Sequence, residues 1–168
     1  MVDEQQANPV VKVELKRLGL QDFVNTDDLL AKSPLFQYLD ERGRETLLAG
    51  GTPRRFAAAA PIFIEASDGD SLFLVLRGDV SLSHGRVEGA IEVGSVRRGE
   101  YFGETYGREA GKRRYNAVAS TEADVAEFPR ELVAKLGDKY PLFGAALRET
   151  SQARDQAGSE LDDFLNRW

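Results

Sequence analysis

The sequence predicts a mainly β protein with flanking α-helices, whose strands form an antiparallel jelly-roll β-barrel. Between about Phe56 and Pro129, short runs of β-branched and aromatic residues alternate with glycine-containing turns. The turns recur about every 8 to 12 positions, which is typical of all-β sandwiches and barrels. The segments on either side carry apolar residues at helical spacing instead. Because helices do not alternate with the strands, a parallel sheet is not favoured.

The first third of the chain is predicted to be helical. Residues 1–25 form a partly helical N-terminal extension, with apolar residues three and four positions apart. Asn25 or Thr26 caps a helix that ends near Pro34, where proline either closes this helix or opens the next. Gly50–Gly51 then stops a further helix ahead of the β-rich region.

The β-rich region divides into short strands and tight turns. The predicted strands are Ile62–Ile64, Leu72–Leu76, Val80–Leu82, Ile91–Val96 and one or two more between Asn116 and Pro129. The predicted turns are Ala57–Ala60, Asp68–Asp70, Arg77–Asp79 and His84–Gly85. His84 is the one histidine of the chain, and its Ser-His-Gly setting indicates a solvated hairpin turn.

The chain after Glu131 is again predicted to be helical, with breaks at Gly137 and Pro141. A narrow apolar stripe follows, formed by Ala146, Thr150, Ala153, Ala157, Leu161, Phe164 and Trp168. A seam this narrow suits pairing with the same helix of a second copy, so a homodimer is expected. The predicted domains are an extension at 1–25, a domain at 26–136 with its β-roll at about 56–129, and a helical extension at 137–168.

The composition narrows the classes of function. The net charge of −6 disfavours nucleic acid and anionic membrane as partners, and the absence of cysteine excludes disulfides and thiolate chemistry. No run of about 18 apolar residues and no secretory signal is present, which predicts a cytoplasmic protein. No nucleophile–base motif and no metal-ligand motif occurs, so we expect neither an enzyme nor a metal site.

One segment carries the functional signal. It reads YFGETYGREAGKRRYNAVAS from Tyr101 to Ser120 and joins glycines to one acid and a basic cluster. Its elements follow a fixed order, namely glycine, Phe-Gly-Glu and then arginine about ten residues later, and they are Gly99, Phe102, Gly103, Glu104 and Arg114. Together with SPLFQYL and DGDSLFLVLRGDVSL upstream, this pattern resembles the cyclic nucleotide-binding domain of the catabolite activator protein and protein kinase A regulatory subunits. The resemblance extends from about Leu30 to Leu136.

The resemblance implies a fold of the cyclic nucleotide-binding type and a ligand, cAMP or cGMP, rather than a cofactor. Gly103 and Glu104 would hold the ribose, and Arg114 would present its planar fork of donors to the phosphate. Glycine at 103 suits this role because the backbone can approach an anion there. The expected ligand-binding residues are Phe102, Gly103, Glu104, Thr105, Arg114, Tyr115 and Asn116. Such a module would signal to a downstream protein partner by rearranging its C-terminal helix.

The sequence departs from the family pattern in ways that leave alternatives open. Tyr115 and Asn116 stand where the family usually has a small hydroxyl residue and alanine, and Ala59 and Ala66 stand where it often has glycine. Tyr115 could fill the pocket, leaving a protein–protein interaction scaffold, or the altered loop could admit a cyclic dinucleotide. A simpler interpretation pairs Glu104 with Arg114 as an ion pair and treats Lys112 and Arg113 as a solvated rim. In that interpretation Trp168 is a helix-packing anchor, whereas the family resemblance implies that it can cover the base as a lid.

Overall fold

The computed structural model describes residues 26–86, 88–104 and 111–167 of the chain. Eight strands form two four-stranded antiparallel sheets, with strand orders β1-β8-β3-β6 and β2-β7-β4-β5. The strands are β1 Thr52–Phe56, β2 Pro61–Phe63, β3 Leu72–Arg77, β4 Val80–His84, β5 Ile91–Val96, β6 Tyr101–Phe102, β7 Asn116–Ala119 and β8 Ala123–Phe128. The predicted mainly β fold with antiparallel sheets is confirmed.

The helices flank the two sheets as the sequence predicts. They are α1 Thr26–Lys32, a 3-10 turn at Phe36–Tyr38, α2 Glu41–Gly50, α3 Arg130–Lys139 and α4 Pro141–Leu165. Asp40 caps α2 by accepting a hydrogen bond from the backbone N–H of Gly43 at 2.8 Å. The predicted break at Gly137 is wrong, because α3 continues through this buried glycine to Lys139. Packing of α3 offsets the roughly 1 kcal/mol that glycine costs inside a helix.

The β region begins earlier than predicted. The first strand starts at Thr52 rather than at Phe56, although it contains Pro53. This is possible because β1 lies at the edge of its sheet and pairs only with β8, so a missing N–H leaves no ladder position unpaired. The predicted turn at Ala57–Ala60 is confirmed by a hydrogen bond from the N–H of Ala60 to the carbonyl of Ala57 at 3.0 Å.

Two apolar clusters form the core. One lies between the first sheet and the helices, and it includes Phe36, Phe128, Phe143 and Leu147. The other lies between the two sheets and is built mainly from β3, β4, β7 and β8 together with Phe102 and Tyr115. Phe143 and Leu147 belong to α4, so the first turns of that helix are part of the core. The predicted limit between the domain and its helical extension, at residues 136 and 137, falls inside α3. The division into domains stays a prediction.

The later part of α4 contacts strands of both sheets. The hydroxyl of Thr150 hydrogen-bonds the Tyr101 hydroxyl, and Gly158 packs against the imidazole of His84 at the end of β4. The start of the apolar stripe on α4 is partly buried, since Ala146 packs against the core, whereas Ala153 and Ala157 are exposed and Phe164 is 59% exposed. Pairing of this stripe with a second copy stays a prediction, and Trp168 lies outside the described residues.

Candidate ligand-binding site

The candidate site lies where β6 ends and β7 begins, and a hydrogen bond joins Gly103 after β6 to Tyr115 before β7. Gly103 has a φ of 79°, which favours glycine, and a Cβ there would lie 2.7 Å from the carbonyl oxygen of Ser71. Phe102 is fully buried and stacks on Phe73 with ring centroids 5.1 Å apart. This stack fixes the backbone of the following glycine. Position 103 therefore has no space for a side chain, as the sequence predicted for a glycine. Thr105, another predicted ligand-binding residue, lies outside the described residues.

Arg113 is the arginine that faces Gly103. It is only 6% exposed, and its Nη1 donates to the carbonyl oxygens of Ser71 at 3.0 Å and Gly103 at 3.2 Å. The guanidinium lies 4.2 Å from the ring centroid of Phe63, and burial lowers the pKa of Arg113. The interpretation of Arg113 as part of a solvated rim is therefore wrong.

No carboxylate within the described ranges lies at salt-bridge distance from the Arg113 guanidinium. Its Nε is buried without a hydrogen-bond partner among those residues. Burial lowers the pKa of Arg113 and outweighs the charges of Asp70, Glu127 and Glu104, which act on the guanidinium from a distance. An anion in direct contact with the guanidinium would relieve the cost of burying it.

Arg114 lies at the surface beside α4, and its predicted contact with a phosphate stays a prediction. Its side chain is 66% exposed, and its Nε lies 3.7 Å from a carboxylate oxygen of Asp155 on α4. Both arginines precede β7, and they differ because Arg113 is buried while Arg114 points to solvent at a bend. Arg113 shares the inward phase of Tyr115 and Ala117, both of which pack in the core between the sheets.

Glu104 is paired with an arginine from the C-terminal helix. Its Oε2 lies 2.6 Å from Nη1 of Arg154, whose Nη2 donates to the carbonyl of Tyr101 at 2.9 Å. Burial raises the pKa of Glu104, and the charge of Arg154 acts in the opposite direction. The alternative that pairs Glu104 with Arg114 is wrong. The role of Arg154 was missed, because no local pattern links it to a residue fifty positions away.

Tyr115 occupies the polar centre of the site. Its hydroxyl accepts a hydrogen bond from the N–H of Gly103 at 2.6 Å and lies 3.4 Å from Oε2 of Glu104, to which it donates. Burial raises the pKa of the Tyr115 phenol, so the hydroxyl keeps its proton at neutral pH. The backbone N–H that would approach a bound anion is thus already engaged by a side chain.

Asn116 serves a structural role in the described chain. Its Oδ1 accepts from the N–H of Glu65 at 2.8 Å, and its Nδ2 donates to the carbonyl of Gly85 at 2.9 Å. These bonds tie β7 to the residues after β2 and β4. Asn116 is buried on the face of β7 opposite to Tyr115.

His84 is not the solvated turn residue that the sequence indicated. It is the last residue of β4, and its side chain is 12% exposed. The Nδ1 atom lies 3.3 Å from Oε2 of Glu65, and Gly85 carries the turn with a φ of 102°. The prediction failed because α4 covers the imidazole, and the neighbouring residues Ser83 and Gly85 carry no information about this distant contact.

Two cavities lie between the sheet and α4, and His84 lines both. The smaller one has a volume of about 80 Å³ and is lined by Leu82, His84, Val93, Gly94, Ser95, Tyr115, Arg154 and Ala157. The larger one has a volume of about 330 Å³ and is lined by Glu65, Ala66, His84, Lys112, Arg113, Arg114, Asp155, Gly158, Ser159 and Asp162. Small-molecule pockets usually occupy about 300 to 1,000 Å³, so the larger cavity is in range and the smaller is not.

The family model for the cyclic nucleotide-binding domain matches residues 53–140, which is more than half of the chain. The chain belongs to the cyclic nucleotide-binding domain family. The matched range contains both sheets and the Gly103–Tyr115 segment. The predicted family and fold type are confirmed.

Individual relatives agree with this assignment. A cyclic nucleotide-gated potassium channel from Rhizobium etli is 27% identical over 134 residues, which cover 80% of this chain and 36% of the channel. The catabolite activator protein of Thermus thermophilus is 29% identical with a TM-score of 0.63, and the match covers 80% of this chain and 63% of that one. The guanosine-bound regulatory subunit of a cAMP-independent protein kinase A from Trypanosoma cruzi is 19% identical with a TM-score of 0.66, covering 83% and 49%. This last likeness concerns the fold alone.

The chain thus spans about a third of the channel's length and less than two thirds of the activator protein's. Among residues 26–86, 88–104 and 111–167, no helix is both long and apolar enough to cross a membrane. The same residues contain no group of three or more side chains that could hold a metal ion.

Proposed function

We propose that this cyclic nucleotide-binding domain is a non-enzymatic regulatory module, that it binds cAMP or cGMP with Arg113 as the phosphate ligand, and that it signals to a partner protein through α4. The buried guanidinium of Arg113 carries the proposal. It stands beside Gly103, lines the larger cavity and lacks a carboxylate partner within the described residues. An exocyclic phosphate oxygen supplies the charge that this site lacks.

The exposed neighbour Arg114 is the matched control for Arg113. We expect Arg113→Gln to weaken cyclic nucleotide binding about a hundredfold, which corresponds to the roughly 2–3 kcal/mol of a charge-assisted hydrogen bond. Arg114→Gln should change the affinity less than about threefold although Arg114 lines the same cavity, because its side chain is 66% exposed and its charge is screened by solvent. Titration calorimetry at one fixed salt concentration measures both variants, and melting curves establish that each is folded.

Equal losses in the two variants would contradict the assignment of Arg113. If only Arg114→Gln loses affinity, the phosphate ligand is Arg114, as the sequence analysis predicted. Arg113→Lys separates charge from geometry, since lysine keeps the charge and loses the planar fork.

A ligand-free scaffold is the second candidate, and the contacts of Tyr115 favour it. The phenol already holds the N–H of Gly103 and reaches Glu104, which in the first proposal serve the ligand. Thermal melts with millimolar cAMP, cGMP and cyclic dinucleotides distinguish the candidates, because a ligand at 100 times its Kd adds about 2.7 kcal/mol of stability. If none of them shifts the melt of the parent or of Tyr115→Ser, the scaffold function holds. A shift with a dinucleotide alone would instead assign that ligand.

A further inference from the structure

The residues around His84 place a carboxylate next to its imidazole. Glu65 lies next to its Nδ1 at 3.3 Å, and the same carboxylate oxygen accepts from the N–H of Gly85 at 2.9 Å. Asn116 in turn fixes Glu65 and Gly85 through their backbone groups. The imidazole therefore stands beside a carboxylate whose residue is tied by hydrogen bonds to β7 and to the turn after β4.

The other ring nitrogen of His84 has no hydrogen-bond partner within the part of the chain that the structure describes. Its Nε2 is buried without a hydrogen bond to any described residue, and the element facing it is α4 at Gly158. A Cβ on Gly158 would lie 2.5 Å from Nε2, so α4 has room for the ring only because position 158 is glycine. The helix thus covers a polar atom with a residue that brings no side-chain donor.

The chemistry of Nε2 follows from its neighbour. In the neutral tautomer that carries its proton on Nδ1, next to the Glu65 carboxylate, Nε2 presents a lone pair. A lone pair accepts a hydrogen bond from an N–H or O–H group. Buried polar atoms are nearly always satisfied in native structures, so an open acceptor next to two cavities points to a group that arrives from outside.

This acceptor lies beside both cavities. The cavity of about 330 Å³ is within the range of small-molecule pockets, but the cavity of about 80 Å³ beside Tyr115 is too small for a purine base, so a base that enters it must displace α4 from β4. His84 lines both cavities, and it stands between the phosphate-facing side at Arg113 and the apolar side at Leu82 and Val93. Movement of α4 would uncover Nε2 at the boundary between them.

We infer that His84 is a specificity-determining residue of the nucleotide site, with Nε2 accepting a hydrogen bond from the exocyclic amino group of a purine base. The inference rests on the proposed function, because it assigns the base contact of the same ligand whose phosphate Arg113 holds. Apolar contacts to the base come from Leu82 and Val93, which line the same cavity.

The test compares nucleotides that differ only in the amino group. Calorimetry would measure cAMP against purine riboside 3′,5′-cyclic monophosphate, and cGMP against cyclic IMP, on the parent, His84→Phe and His84→Gln. We expect the parent to prefer the amino-bearing member of one pair about tenfold. His84→Phe should abolish the preference, and His84→Gln should keep part of it, because its amide oxygen lies near the position of Nε2.

The ratio within a pair cancels any general loss of affinity or stability that a variant suffers. A preference that is equal in the parent and His84→Phe, or absent from both pairs in the parent, overturns the assignment while binding itself upholds the proposed function. If no cyclic nucleotide binds the parent, the proposed function fails and the assignment of His84 fails with it.

Discussion

At the scale of single residues, the proposed function makes the hydroxyl of Tyr115 a competitor of the nucleotide for the N–H of Gly103 and for Glu104. Tyr115→Phe removes the acceptor for the N–H of Gly103 and the donor to Glu104 while it keeps the ring. We expect this variant to bind cyclic nucleotide about tenfold more tightly. It should lose about 1–2 kcal/mol of unfolding free energy, because a buried N–H is left unsatisfied in the unliganded protein.

Calorimetry and urea unfolding measure these two opposite effects. Tyr140→Phe is the matched control, since its hydroxyl donates to Asp40 far from the site and its loss should leave affinity unchanged. Tyr115→Ser also removes the ring and should bind at least as tightly as Tyr115→Phe. Weaker binding by both Tyr115 variants would mean that the phenol contacts the ligand and does not compete with it.

The positive φ values of Ala59 and Ala66 give a prediction on stability. Both alanines adopt left-handed backbone conformations, with φ values of 68° and 66°, at positions where the family often has glycine. A left-handed conformation costs a residue with a Cβ about 1–2 kcal/mol, whereas glycine costs up to about 1 kcal/mol of unfolded-state entropy. Ala59→Gly and Ala66→Gly should therefore each raise the unfolding free energy by about 0.5–1 kcal/mol.

Ala58→Gly provides the control within the same turn, because Ala58 does not have a positive φ. It should lower the unfolding free energy by a few tenths of a kcal/mol through entropy alone. If chemical denaturation shows the same change in unfolding free energy for Ala58→Gly and Ala59→Gly, the positive φ of Ala59 does not destabilise the protein.

At the scale of elements, Asp124 links three strands of the first sheet. This residue of β8 accepts from Nε of Arg55 on β1 at 2.7 Å and from Nε of Arg77 on β3 at 2.8 Å. Burial alone would raise the pKa of Asp124, but the hydrogen bonds from the two arginines outweigh it and the net shift is downward. One carboxylate thus links three neighbouring strands.

The lowered pKa sets the direction of a pH dependence. A carboxyl whose folded pKa lies below its unfolded value stabilises the protein above the unfolded pKa and loses that contribution as the pH falls through the folded pKa. Asp124→Asn should cost about 1–2 kcal/mol at pH 7, a value reduced because both arginines are partly exposed. The difference from the parent should shrink below about pH 4. A difference that stays constant from pH 7 to pH 3 in urea unfolding would rule out a role for the charge.

At the scale of the whole molecule, the end of α4 predicts self-association. Phe164 is 59% exposed and Leu165 is 50% exposed, and both follow the small-residue part of the stripe. We expect the intact chain to be a homodimer through α4, and a chain truncated before Ser159 to be a monomer. Sedimentation at micromolar concentration measures both. A monomeric intact chain would contradict the prediction, and a dimeric truncated chain would move the interface away from the end of the helix.

The sequence was sufficient for the fold and for part of the site. Turn glycines and apolar alternation are local signals, so the strands and most helix ends could be predicted, and Phe-Gly-Glu located the loop. It could not distinguish Arg113 from Arg114, since both fit a spacing of about ten residues. Only the phase set by Tyr115 and Ala117 separates them. The positions of Arg154 and His84 depend on how α4 packs, which no local pattern encodes.

The ion pair between Glu104 and Arg154 has a consequence for the whole protein under the proposed function. One carboxylate holds the C-terminal helix and also faces the ribose, so ligand affinity and helix position are parts of a single equilibrium. Thermodynamic linkage then requires reciprocity: a partner that captures the released helix must raise the affinity for the nucleotide by the same factor as the nucleotide raises the affinity for that partner. Nucleotide affinity measured on the isolated chain is therefore a lower bound for the affinity in such an assembly.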